Sequence, residues 1–193
     1  MQLTKDIIMD AAVGILDEYG LQDLTIRRLA RHLDAAAGAM YWHFPSKQAL
    51  LGAVADRLLA PLSEFAATGD WRADATAFAE SLHACLTSHR DGAEVVSAGL
   101  ATDTVAVRPA SLLAPLLDDA PIPGELAADA AATLVYFVLG ATVDEQTAAE
   151  LAKVADAGAD GPRPSRAGDA AAHDRRIRHG VELIIAGIAA GGA

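Results

Sequence analysis

Cysteine, aromatic residues and positive charge are all scarce in this 193-residue chain, and each scarcity excludes something. A single cysteine, Cys85, rules out an internal disulfide. Aromatic residues make up only 5% while alanine fills 45 positions, which disfavours an all-β core and favours helices. Fifteen Lys and Arg face 26 Asp and Glu, and the net charge of −11 discourages indiscriminate binding to polyanions. Long uncharged runs are missing as well. Ala130–Val143 is free of charge over only 14 residues, and the shorter Val181–Ala193 carries Glu182, so both are expected as buried helices rather than membrane spans. The opening MQLTKDIIMD lacks the basic, apolar and small-residue pattern of a secretory leader, so a cytoplasmic protein is expected. What is abundant is apolar surface, at 52% hydrophobic residues, enough for a sizeable core.

Charge is unevenly placed. Residues 1–24 are net −4, whereas residues 25–50 carry Arg27, Arg28, Arg31 and Lys47 against Asp34 alone, net +3. One short basic face on an acidic protein suits phosphate. The apolar spacing across the same region predicts a compact helical unit. Thr4 caps a first helix with Ile8, Ala11, Ala12, Ile15, Leu16 and Tyr19 on one stripe, and Gly20 ends it. Thr25 caps a second, with Ile26, Leu29, Ala30 and Leu33 inward, and a third short helix runs from about Ala36 through Tyr41 and Trp42. His43-Phe44-Pro45 breaks the pattern, and Ser46 caps a linking helix over 47–64.

Beyond it, Asp70 caps a helix bearing Trp71, Ala75, Phe78, Leu82, Cys85 and Leu86, and a long helix is expected from about Glu125 to Val154. Residues 156–174, rich in Gly, Pro and Ala, read as a mobile loop before a last helix near Arg175–Ala190. The long helix is apolar on every side around Leu134–Leu139 and must be covered all round. Two such helices from each of two subunits would make a four-helix dimer interface; the alternative is burial within one chain.

Residues for chemistry are few. His83 and Cys85, two apart on a helix, face different ways, and no second pair with zinc spacing follows. No nucleophile elbow, phosphate-binding loop or dinucleotide fingerprint occurs, so neither an enzyme nor a cofactor is expected.

Leu24-Thr25-Ile26-Arg27-Arg28-Leu29-Ala30, followed by Tyr41-Trp42-His43-Phe44, Lys47 and Ala49-Leu50-Leu51, resembles the helix-turn-helix domain of the TetR family of bacterial repressors. Ser88-His89-Arg90-Asp91-Gly92-Ala93, Leu139-Gly140, Asp144-Glu145-Gln146 and Gly180–Gly187 resemble the regulatory domain of that family's tetracycline-repressor subgroup. The resemblance implies an all-α protein with a three-helix DNA-binding domain at 1–46 and a larger effector-binding and dimerisation domain at 47–193. It also implies a homodimer with its third helices in the major grooves of a palindromic operator.

Carried over residue by residue, Arg27 takes the place of the arginine that reaches a base edge, with Arg28 beside it. The arginine fork suits guanine O6 and N7. Lys47, His43 and Tyr41 correspond to backbone contacts, and Trp42 is a DNA-binding candidate expected to lie partly in the core. Ala37, Gly38 and Ala39 stand where the relatives carry larger or polar groups, so thymine methyl contact and DNA shape must contribute more to reading.

The effector site departs further. The subgroup's magnesium–drug chelate uses a histidine whose place here is Val96. Asp144 keeps the acidic partner, while Ser63 and Phe78 occupy drug-holding polar positions and Leu82 that of a nearby aromatic. An apolar pocket lined by Phe78, Leu82, Val96, Leu112, Leu113, Leu116 and Leu117 is therefore expected, with no metal and a small, largely apolar effector other than magnesium–tetracycline. The resulting expectation is a ligand-responsive repressor; the alternative is a helical ligand-sequestering or partner-binding protein with weak DNA affinity.

Overall fold

A computed structural model describes residues 3–157 and 167–191, and among these no β-strand occurs. The helices are α1 (Lys5–Tyr19), α2 (Ile26–His32), α3 (Ala37–His43), α4 (Lys47–Leu59), α5 (Trp71–Thr87), α6 (Gly92–Ala101), α7 (Pro109–Leu113), α8 (Gly124–Ala157) and α9 (Ala167–Ala190). The start signals read from the sequence operate as expected. Thr4 Oγ1 accepts from the Ile7 N–H, Thr25 Oγ1 from Arg28, Ser46 Oγ from Ala49 and Asp70 Oδ1 from Arg72, each satisfying a donor at a helix N-terminus that would otherwise be orphaned. Gly20, at φ 84°, ends α1 in a conformation that disfavours any side chain.

Two compact units emerge: one of residues up to Ser63 with Cys85–Arg108, the other of Glu64–Ala84 with the described residues from Pro109 onward. The sequence reading places a division at residue 46; compactness divides the chain differently because α4 packs along α6. Gly52 makes this possible. A β-carbon there would lie 2.4 Å from the Thr104 carbonyl oxygen. The Asp56 carboxylate on the next turn accepts from the Ala106 and Val107 N–H groups at 2.8 Å each. The core of this unit is aliphatic, with Ile8, Ile15, Leu16, Leu29, Met40, Leu50 and Val54 all sealed from solvent.

The second unit is organised around α8 and α9. Ala131, Leu134, Val135, Val138 and Thr142 form the buried face of α8, and Ile177, Val181, Ile185 and Ile188 that of α9. The Phe137 ring lies where a β-carbon of Gly180 would otherwise stand. From Gly124 to Val154, α8 is long and apolar enough by length and composition to cross a membrane, which the shorter charge-free run Ala130–Val143 did not suggest. It is nevertheless not covered all round within one chain, because Tyr136 is 70% exposed and Leu151 and Val154 lie open.

Two boundaries differ from the sequence reading. The linking helix expected over 47–64 is α-helical only to Leu59; Pro61 turns the rest into a 3-10 segment, Ala60–Glu64. Of the loop expected over 156–174, residues 156–157 and 167–174 are helical, since Ala167 and Ala170–Ala172 extend α9 toward its start; residues 158–166 lie outside those described.

Candidate functional site

The α2–α3 pair is a helix-turn-helix whose turn closes on Asp34, at φ 48°, a left-handed geometry that aspartate tolerates better than most residues. The Ala35 N–H donates to the Ala30 carbonyl at 2.9 Å and locks the turn. Ile26, Leu29 and Ala30 face inward on α2, which leaves Arg27 and Arg31 exposed. On α3, Met40 and the following Phe44 are the core anchors at helical spacing. The groups between them point out. Tyr41 is 50% exposed, Trp42 is 91% exposed, and His43 is exposed beside them. The expectation that Trp42 lies partly in the core is therefore corrected, because Met40 and Phe44 fill the space that Trp42 would have taken. Gly38 is exposed, Ala37 and Ala39 are half-buried, and Lys47 is exposed on the first turn of α4.

Arg28 behaves differently from Arg27. Its Nη1 lies 2.5 Å from Asp23 Oδ1, and its guanidinium stacks 3.7 Å above the Tyr19 ring. It braces the start of α2 against the end of α1, whereas Arg27 is exposed.

A contact that sequence reasoning missed ties the α5–α6 turn to α1. His89 Nδ1 meets Asp17 at 2.9 Å, the Arg90 N–H donates to Asp17 Oδ1 at 3.2 Å, and Arg90 Nη1 donates to the Glu18 carbonyl at 3.2 Å. The Leu21 N–H in turn donates to Asp91 Oδ2 at 2.8 Å. The motif His89-Arg90-Asp91 is legible in the sequence, but its partners lie some seventy residues away and carry no local signal.

The effector candidates are dispersed. Ser63 and Val96 fall in the first compact unit and the others in the second. Phe78, Leu82, Val96 and Leu113 are sealed, Leu117 nearly so, Leu112 and Leu116 are half-buried, and Ser63 and Asp144 are exposed. Phe78 packs edge-to-face on Phe65, with centroids 5.4 Å apart. The acidic group of α8 that reaches α5 is Glu145, whose Oε2 meets His83 Nε2 at 2.7 Å, rather than Asp144. A cleft of about 210 Å³ opens between α5 and α9, floored by Ala79, Ile177 and Val181 and rimmed by Glu80, His83, Arg178 and Glu182; it includes none of the predicted effector residues. A magnesium chelate does not fit this donor set. Val96 has no ligating atom, and among the described residues no group of three His, Cys, Asp or Glu is placed to hold a metal.

Burial pushes the Cys85 thiol up from its ordinary value. The Asp74 carboxyl, at the start of α5, is held below the usual carboxylate value by the Thr68 N–H and hydroxyl and by the Gly69 N–H.

Comparisons with known proteins agree with this geometry. The family model described as bacterial regulatory proteins, tetR family, matches residues 8–54, and that described as the tetracyclin repressor-like C-terminal domain matches residues 65–191. The Escherichia coli tetracycline repressor protein class A from transposon 1721 is 34% identical over 148 residues, 75% of this chain and 68% of that protein. Among solved structures, BioQ of Mycobacterium smegmatis is 39% identical with a TM-score of 0.80, covering 98% of this chain and 100% of that one. A structure of BioQ with its natural double-stranded DNA operator is 38% identical, also with a TM-score of 0.80, over 98% of this chain and 99% of that one.

Proposed function

The chain belongs to the TetR family of bacterial regulatory proteins, which are DNA-binding transcriptional repressors and not enzymes, and from that premise we propose a homodimer that holds a palindromic operator until a small, largely apolar effector releases it. The observation that carries this reading is the exposed set Arg27, Tyr41, Trp42, His43 and Lys47 around a helix-turn-helix, on a chain whose net charge is −11. A surface tryptophan and tyrosine beside three basic groups have no use inside this chain. They suit a nucleic-acid groove lined by phosphate. Arg27 reads a guanine edge, and Lys47, His43 and Tyr41 position the helix on the backbone. Arg28 sets the pose of α2 through Asp23 and Tyr19. The repressor acts in the cytoplasm, where its operator lies.

Dimerisation is supported by Tyr136 on α8 and Leu183 on α9, 70% and 61% exposed. Covering those faces with the same helices of a second copy gives the four-helix arrangement.

Release is supported by the composition of the first unit. Residues Cys85–Arg108 lie within the match to the C-terminal family model, yet they pack with α1 and α4. A shift of this segment on effector binding is a shift of α4 and of the reading helices. A coupling of about 1–3 kcal/mol changes operator affinity about 5–150-fold. With Val96 in place of a ligating histidine, the effector is not a magnesium–tetracycline chelate.

Selection of genomic fragments by the purified protein, followed by salt titration, tests the reading. A palindrome bound far above background with a steep salt slope is expected. No enrichment at low salt would favour ligand sequestration instead.

A further inference from the structure

Two stripes of helical spacing line the cleft between α5 and α9. Thr76, Ala79, Glu80 and His83 recur at i, i+3, i+4 and i+7 on α5, and Asp174, Ile177, Arg178 and Val181 do the same on α9. The floor is apolar and buried, and Ala79 is all that α5 contributes to it. That leaves a space of about 210 Å³, more than the roughly 150 Å³ that holds a benzene ring. Val181 in the floor and the exposed Leu183 two residues on point to different sides of α9, so the cleft and the face assigned to dimerisation are distinct.

The rim decides what charge an occupant carries. Its cations are already engaged: Arg178 Nη2 meets Asp174 Oδ2 at 3.0 Å, and His83 Nε2 meets Glu145 Oε2 at 2.7 Å. Two carboxylates are left over. Among the described residues no ion pair or hydrogen bond holds Glu80, and Glu182 reaches only His179, at 3.4 Å. With histidine neutral, Glu80, Asp174 and Glu182 against Arg178 leave the rim at −2. An anion would be repelled there, whereas a cation over the apolar floor pairs with groups that nothing in the chain neutralises. We propose that the α5–α9 cleft is a binding site for a small apolar molecule carrying one positive charge. Its use as the effector site rests on the ligand-responsive reading; the binding itself does not. The route to the reading head is α5, which continues past His83 into Cys85–Thr87, part of the unit that holds α1 to α4.

Three probes share one skeleton of about ten non-hydrogen atoms and differ in charge: 3-phenylpropylamine, 3-phenylpropan-1-ol and 3-phenylpropionate. Calorimetric titration of the full-length protein at neutral pH is expected to give the amine a Kd of about 0.1–1 mM, the range for a ligand of that size. The alcohol should bind about fivefold more weakly, the worth of one or two partly exposed ion pairs, and the propionate more weakly still. Glu80→Gln with Glu182→Gln should bring the amine down to the alcohol and leave the alcohol within about twofold of its wild-type value. Asp118→Asn with Asp119→Asn removes the same charge from an exposed turn elsewhere and should leave the amine within about twofold. An amine that binds no better than the alcohol, or that loses as much from the Asp118 and Asp119 pair, overturns the inference. So does the absence of amine binding up to about 10 mM. Selection of genomic fragments by the same protein keeps the two readings apart. If a fragment is enriched and the amine does not bind, the inference falls alone; if no fragment is enriched and the amine binds as expected, the operator reading falls and the site stands.

Discussion

Gly52 of α4 lies so close to Thr104 that a β-carbon would stand 2.4 Å from the Thr104 carbonyl oxygen and 2.6 Å from its hydroxyl. Thr104, on the loop that follows α6, therefore packs directly on the backbone of the helix that carries the reading head, with no side chain from that helix between them. Gly52→Ala must push this loop away, and overpacking of this kind costs about 1–3 kcal/mol. Urea unfolding should show that loss as a lower midpoint with an unchanged slope; an unchanged midpoint would mean the loop yields freely.

Arg27 and Arg28 should separate cleanly. Arg27→Ala is expected to lose about 1–3 kcal/mol of operator affinity, the worth of a bidentate base contact, with Tm unchanged. Arg28→Ala removes a partly exposed ion pair and a cation–π contact and should cost about 0.5–1 kcal/mol of stability. Calorimetry and DNA titration of both variants check the crossover, and equal losses in both assays would contradict it.

Asp74 gives a pH dependence of known sign. Its folded carboxyl titrates below its unfolded value of about 3.8, because the Thr68 N–H and hydroxyl and the Gly69 N–H favour the carboxylate. The stability it contributes is thus fully present above the unfolded value and is lost as pH falls through the folded one. Unfolding midpoints between pH 6 and pH 3 should fall more steeply for the wild type than for Asp74→Asn, which should already be weaker at pH 6. Parallel curves would remove Asp74 from the acid response.

Tyr136 and Leu183 test the dimer. The paired substitution Tyr136→Asp and Leu183→Asp places charge on a face that is open within one chain, so monomer stability should barely change. Sedimentation velocity should show a dimer for the wild type and a monomer for the variant, while a variant that remains dimeric would put the interface elsewhere.

The legible parts of this protein are those governed by neighbours in sequence. Thr4, Thr25, Ser46 and Asp70 cap helices through groups two or three residues away, and composition plus periodicity places them. Arg27 and Lys47 were readable as exposed charges at motif positions. Trp42 was misread because periodicity alone does not say which of several adjacent apolar residues the core accepts; the positions of Met40 and Phe44 decide that. The effector site was least legible. Ser63 and Val96 belong to the unit that holds the reading head while Phe78 and Leu82 belong to the other, and only tertiary structure divides them so. The His83–Glu145 pair joins α5 to α8 across 62 positions and has no sequence signature.

The clasp of Asp17 on His89 and Arg90 sets a rule for building chimeras. Regulators of this architecture invite transplantation of one reading head onto another body, with the splice at the boundary after residue 46. Here such a splice would part Asp17, Glu18 and Leu21 from the turn at His89–Asp91 that holds them. A foreign head would need a carboxylate at the equivalent of Asp17, or would have to bring residues 85–108 with it. The unit of inheritance for a working head is therefore discontinuous, and a hybrid respecting only the linear boundary would arrive with its first helix unfastened.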